Sequence, residues 1–244
     1  MSDHLDALAG IIASEVGRNR ARGPVLVGIT GAVAVGKSTT AAALAARVEG
    51  AGRSVAVVAT DCFLLPAAEL ATRGLVMQKG FPGTFDDDLI VAALDALRAG
   101  ATVEVPVYSH VVYDRVEGTT TRLAPIDVVV LEGVNALLAP IVDRLTLGVY
   151  IDASESDVEG WFHRRFEELA AAAAGDSSSF YAPIAALPVE QRRAIAGAAW
   201  TGINLVNLHD HIGPSRARAD YVLTKGPDHA FVGLEQIAAR RRCG

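Results

Sequence analysis

Two glycines with four residues between them, and lysine and serine directly after the second, form a pattern suited to gripping a polyphosphate. The run Gly31-Ala32-Val33-Ala34-Val35-Gly36-Lys37-Ser38 fits G-x-x-x-x-G-K-[ST]. Glycines let the backbone wrap phosphate oxygens, while successive N–H groups and the following helix N-terminus supply positive potential. The lysine bridges the β and γ phosphates, and the serine hydroxyl ligates Mg2+. Gly31 to Ser38, with Thr39 behind them, are therefore the candidate cofactor site, and ATP with Mg2+ is what it implies. The run by itself leaves a GTPase switch, a motor ATPase and a metabolite kinase open.

Acids at neighbouring strand ends narrow that choice. In a parallel sheet, ligands gather outside the carboxyl ends of the strands. Asp61 follows the apolar run Val55–Thr60 and Glu132 follows Ile126–Leu131, so both should face the crest that carries the glycine loop. Glu132 reads as the acid that helps hold Mg2+, and Asp61 as the general base for an attacking hydroxyl, with a turn cap as its ordinary alternative. Asp127 opens its strand instead, about 16 Å from Glu132 at 3.3 Å per residue, at the wrong end. No Asn-Lys-x-Asp run occurs, which disfavours a guanine-reading switch.

Tyr108-Ser109-His110 and Tyr113-Asp114, bounded by Pro106 and Gly118, read as a loop pocket for a small polar molecule. Arg165, near Trp161, Arg164 and Phe166 on a helix, is placed to reach a transferring phosphate; its plain reading is a surface arginine beside a core tryptophan. His209-Asp210-His211 has the letters of a metal site, but histidines two apart diverge on a helix, so the trio reads as surface.

The positioning elements follow from apolar spacing. Leu5, Leu8, Ile11, Ile12 and Val16 mark a first helix, capped at Ser2 or Asp3 and stopped at Gly17. Val25–Thr30 is a strand leading into the glycine loop, and Ser38–Val48 is helix-prone. Val55–Thr60, Ile126–Leu131, Leu147–Ile151 and Tyr221–Leu223 are further strands. Helices are predicted over Asp86–Ala99, Glu155–Ala174 and Val189–Leu208. Continuous rather than alternating apolar runs predict an α/β fold: a doubly wound, mostly parallel sheet with helices on both faces.

At 244 residues one domain spanning 1–244 is expected, with a flexible lid segment around 162–186. No apolar run approaches the ~20 residues of a membrane helix. The net charge of −6 gives no basic face for nucleic acid, and Arg240-Arg241-Arg242 reads as a solvated tail. Two cysteines, Cys62 and Cys243, and no secretory leader point to a reducing cytoplasm.

Together these segments resemble the bacterial type I pantothenate kinases, P-loop kinases related to uridine kinases and phosphoribulokinases. The likeness covers GAVAVGKSTT at Gly31–Thr40, Thr60–Leu64, Ala68–Leu75, Lys79-Gly80-Phe81-Pro82, Tyr108–His110 with Tyr113-Asp114, Leu131–Asn135, Trp161–Phe166, Trp200–Leu208, Thr224-Lys225 and His229. It implies ATP-dependent phosphorylation of the primary hydroxyl of pantothenate by a cytoplasmic homodimer. It also implies Asp61 as base, Lys37, Glu132 and Arg165 as its catalytic partners, and Ser38 with Glu132 as metal groups. Tyr108, His110, Tyr113, Phe162, Phe166, Tyr181 and Asn204 correspond to acceptor-pocket positions, and His229 to one near adenine. Departures fall in the acceptor half: Phe162 stands where the family has a tyrosine, and Leu169 and Ile184 replace aromatics. Cys62 replaces glycine, and Ala42 an arginine used in binding coenzyme A. A nucleoside or sugar kinase of the same fold is the alternative, and a non-catalytic nucleotide-binding regulator is a further one.

Overall fold

The computed structural model describes residues 3–19 and 23–237. The Ser2 cap, Cys243 and the arginine run at 240–242 lie outside them. In chain order the elements are α1 Asp3–Asn19, β1 Val25–Gly31, α2 Lys37–Gly50, β2 Val55–Ala59, α3 Ala67–Thr72, α4 Asp87–Arg98, β3 Val103–Ser109 and β4 Asp114–Leu123. There follow β5 Val128–Glu132, β6 Leu147–Asp152, α5 Glu155–Ala172, α6 Ala182–Ala185, α7 Val189–Ala199, α8 Leu205–Asn207, β7 Tyr221–Lys225 and β8 Phe231–Gln236.

Six strands form one sheet in the order β2-β5-β1-β6-β7-β8, parallel except for β8. Every residue of β1 and β5 is buried, which is why both read as unbroken apolar runs rather than alternating ones. Alternate residues serve opposite faces. Val25, Val27 and Ile29 join a core with α1, α2 and α5, whereas Leu26 joins one with α4 and the β3–β4 ribbon. Polar caps start α4 and α5: Asp86 accepts from the Leu89 N–H at 3.0 Å, and Ser154 from the Asp157 N–H at 3.1 Å.

Four features differ from the expectations. The stretch read as a loop around Tyr108–Asp114 is the tip of an antiparallel hairpin, β3–β4. Only Val103, Val105 and Leu123 of that ribbon are buried, so its apolar pattern is too sparse to announce strands. β8 was not foreseen; pairing with β7, it places His229 in the intervening turn. α1 runs through Gly17 to Asn19. The helix expected over Val189–Leu208 is α at its start, then passes through π turns at Trp200–Asn204 and Leu208–Ile212, flanking α8. Each π turn inserts an extra residue and rotates the side chains beyond it, a feature common at functional sites.

Candidate active site

β1 ends in Gly31, where φ is +152 and an added Cβ would stand 2.6 Å from the Ile151 carbonyl oxygen. Gly36 is left-handed at φ +85. Side chains fit poorly at both, so the two motif glycines are conformational requirements. Lys37 donates to the Gly31 and Ala32 carbonyls at 3.1 and 2.9 Å, and its ammonium is pulled down by burial against the pull of Glu132 and Asp61.

Strand register fixes the acids. Glu132 lies opposite Ile29 on one side and Ala59 on the other. Its carboxylate is 7% exposed and accepts a 2.8 Å hydrogen bond from the Ser38 hydroxyl. Burial pushes the Glu132 carboxyl up, and Lys37 and Ser38 partly offset this. Gly133 can only be glycine here, since a Cβ would overlap Thr60 Oγ1 at 1.8 Å. Asp61 lies in a 3-10 turn, Thr60–Phe63, two residues past β2 rather than on its last residue. That turn carries no side-chain cap bond, so the capping reading of Asp61 finds no support. Its carboxylate acts on Lys37, Glu132, Lys79, Tyr108 and Tyr113.

Around Asp61 runs a chain of ring contacts. His110 meets Tyr108 at 5.1 Å, Tyr108 meets Tyr113 at 6.2 Å, and Tyr113 stacks on Phe180 at 4.6 Å. Phe180 continues through Tyr181 and Phe166 to Phe162, which packs on Trp200 at 5.6 Å. The Phe180 N–H also donates to the Val111 carbonyl at 2.8 Å, pinning residues 176–187 to the hairpin tip. Burial raises the Tyr113 phenol to about 12, with Tyr181 and Asp61 adding to the rise and Arg165 opposing it. Arg165 is thus near both this cleft and Lys37.

The expected residues do not all present side chains to one space. Lys37, Ser38, Asp61, Glu132, Tyr108, His110, Tyr113, Tyr181 and Arg165 converge. Phe162 and Phe166, 9% and 7% exposed, sit in the core, and the Asn204 amide is turned back to the Ala199 carbonyl at 3.0 Å. Thr39 is exposed on the first turn of α2. His229 lies on the other flank, stacked on Trp161 at 3.8 Å. Beside the glycine loop on the β6 side, a cavity of about 430 Å3 is lined in part by Ala32, Val35, Asp152 and Glu155. A 2.7 Å contact from Glu155 to His209 holds its rim. His209 is thereby engaged and His211 packs edge-on against Phe81; among the described residues no three His, Cys, Asp or Glu groups gather for a metal.

Four residues make contacts that the sequence did not announce, Lys79, Asn207 and Lys225 being quoted above only within matched segments. Lys79 donates to the Tyr113 carbonyl and lies over the Tyr113 ring at 4.4 Å, with burial drawing its ammonium down. Phe180 stacks on Tyr113 at the hairpin tip and reaches Phe166 of α5 only through Tyr181. Asn207, buried, donates to the Gly80 carbonyl at 3.0 Å and leaves its Oδ1 unpartnered. Lys225 sits under the glycine loop, donating to the Val35 carbonyl at 2.9 Å. Its place at the carboxyl end of a parallel strand was the available signal.

A glycine loop with lysine, hydroxyl and carboxylate at a sheet crest, facing an aspartate in an aromatic cleft, defines a P-loop phosphotransferase with a hydroxyl acceptor. The chain belongs to the phosphoribulokinase / uridine kinase family, whose signature matches residues 26–165. It is 45% identical over 226 residues to a pantothenate kinase of Sorangium cellulosum, covering 88% of this chain and 73% of that protein. A pantothenate kinase of Streptococcus thermophilus is 36% identical over 228 residues, covering 90% and 74%. The fold of D-glycerate 3-kinase from Cryptococcus neoformans superposes with a TM-score of 0.67, over 97% of this chain and 100% of that one, at 17% identity.

Proposed function

We propose that this protein transfers the γ-phosphoryl group of ATP to the primary hydroxyl of pantothenate. The observation that carries this is the 45% identity to a pantothenate kinase over 88% of the chain, since that span includes the acceptor cleft as well as the glycine loop. Asp61 is the base: it takes the hydroxyl proton as that oxygen bonds to phosphorus and the bond to the bridging oxygen of ADP breaks. Lys37 and Arg165 carry the charge on the transferring group, and the N–H groups of residues 31–38 hold the phosphates. Ser38 and Glu132, already hydrogen-bonded, form an oxygen pair suited to Mg2+, which usually takes one or two carboxylate or hydroxyl ligands beside phosphate oxygens. When bound, Mg2+ neutralises phosphate charge. Tyr108, His110, Tyr113 and Tyr181 line the acceptor site, with Phe162, Phe166 and Asn204 behind it, and His229 lies by the adenine.

The same reading makes the chain one domain with a lid at 162–186, working as a cytoplasmic homodimer. The test is ATP consumption against pantothenate, uridine, cytidine and a few sugars, with Asp61→Asn as the control. Turnover with pantothenate, lost in Asp61→Asn, is expected. Preference for a nucleoside or sugar would favour the alternative suggested by Phe162, Leu169 and Ile184, and full activity in Asp61→Asn would remove the base.

A further inference from the structure

Lys225 is 5% exposed, yet the described residues offer it no carboxylate. Its ammonium donates to the Val35 carbonyl and lies 5.0 Å over the Phe231 ring. The charged group bearing most on it is another cation, Lys37. Charged side chains are rarely buried unless paired, because desolvation costs more than a carbonyl and a ring return. A buried lysine facing a second lysine therefore lacks a counter-charge, and the loop above it is shaped for polyanions.

The loop's own hydrogen bonds give the lysine a second task. An anion cradle turns its N–H groups inward, so its carbonyls point away and need donors. The Gly31 and Ala32 carbonyls receive Lys37, and the Gly36 carbonyl receives the Thr40 N–H and hydroxyl at 3.0 and 2.8 Å. For the Val35 carbonyl the donor comes from 190 residues further along the chain. The ammonium is so close that a Cβ on Gly36 would approach it to 2.8 Å.

We propose that Lys225 is a positioning residue for the nucleotide, fixing the Val35–Gly36 peptide from beneath the phosphate loop and adding a second positive charge to the phosphate cradle. This rests on ATP being the donor, and it assigns Lys225 to nucleotide affinity rather than to acceptor recognition. Burial and Lys37 bring the free ammonium down to about 8, and a bound polyphosphate pushes it back up. ATP therefore binds best with Lys225 protonated, and affinity falls as pH rises through about 8. Lys37 from α2 and His229 in the β7–β8 turn are the other titratable groups that interact with it. His229 is itself held down by its own burial, then by Lys225 and Arg164.

The experiment is calorimetric titration of ATP into the full chain, wild type, Lys225→Met and Lys225→Gln, across pH 7 to 9.5, with steady-state kinetics for each. Lys225→Met removes donor and charge, and Lys225→Gln keeps a donor. We expect Lys225→Met to weaken ATP binding about ten- to a hundredfold, the weight of one charge-assisted contact. Lys225→Gln should fall between, with the KM for ATP raised, the acceptor KM little changed and the alkaline loss near pH 8 gone in both. Folded variants that bind ATP as the wild type does would overturn the inference while leaving phosphoryl transfer intact. Should neither variant fold, a wild-type affinity flat across that pH range overturns it equally. No ATP binding by the wild type would sink the phosphotransfer reading and this inference together.

Discussion

Gly133→Ala should damage both stability and turnover, because of one neighbour. The added Cβ would lie 1.8 Å from Thr60 Oγ1, 2.9 Å from its Cβ and 3.3 Å from its Cγ2. Ordinary contacts begin near 3.4 Å, so Thr60 must move. It is completely buried, and it immediately precedes Asp61. Overpacking a tight core costs about 1–3 kcal/mol, and the upper end applies where neither neighbour has room. For a chain of this size about 3 kcal/mol lowers Tm by roughly 6–12 °C. Thr60→Ala deletes an unpartnered hydroxyl and a buried methyl, so alone it should cost about 1 kcal/mol, mainly for the methyl. It also removes the worst overlap, so the double variant should recover about 1–2 kcal/mol relative to additivity. The assay is thermal and urea unfolding of all four proteins, with kcat measured on each. A Gly133→Ala protein within a degree of wild type, or strict additivity in the cycle, would refute the steric account.

Three further outcomes are expected. Since burial raises the Glu132 carboxyl, the fold favours its neutral form and the ionised group costs stability at neutral pH. Glu132→Gln should therefore raise Tm at about pH 7 while abolishing turnover, and the gain should vanish as pH falls through the raised value to below the ordinary 4.5; a gain constant with pH would contradict this. Phe162→Tyr places a hydroxyl at a buried position behind the acceptor cleft, so it should lower Tm and leave the KM for pantothenate unchanged; a severalfold lower KM would show that this ring edge reaches the acceptor. Ala42 is exposed on α2, and without charge there the protein should resist coenzyme A inhibition. Ala42→Arg should strengthen inhibition about tenfold or more, whereas strong inhibition of the wild type, unaltered by Ala42→Arg, would place the contact elsewhere.

The glycine loop, Asp61 and Glu132 were legible because their geometry is local: one strand end, one turn and a register set by continuous apolar runs. Lys37 and Ser38 needed no more than the strand–loop–helix context. The hairpin tip was harder, since Tyr108 and Tyr113 were visible as aromatics but their ribbon buries only Val103, Val105 and Leu123. Phe180 and Lys225 act through contacts 69 and 190 residues away, with Val111 and Val35, and no spacing rule reports such pairs. The π turns after Ala199 also escaped notice, because apolar periodicity continues through them while the facing of Asn204 and Asn207 changes.

The chain has two tryptophans, and they belong to different ring contacts. Trp161 stacks on His229 with its indole N–H donating to the Pro227 carbonyl at 3.2 Å, whereas Trp200 ends the ring chain that begins at His110. Trp161 can therefore serve as a native fluorophore for the flank assigned to adenine, and Trp200 for the acceptor side through the ring chain. Replacing either with phenylalanine leaves a single-colour reporter of the other. Stopped-flow mixing of the two variants with nucleotide and acceptor in either order would resolve which substrate arrives first, without a label.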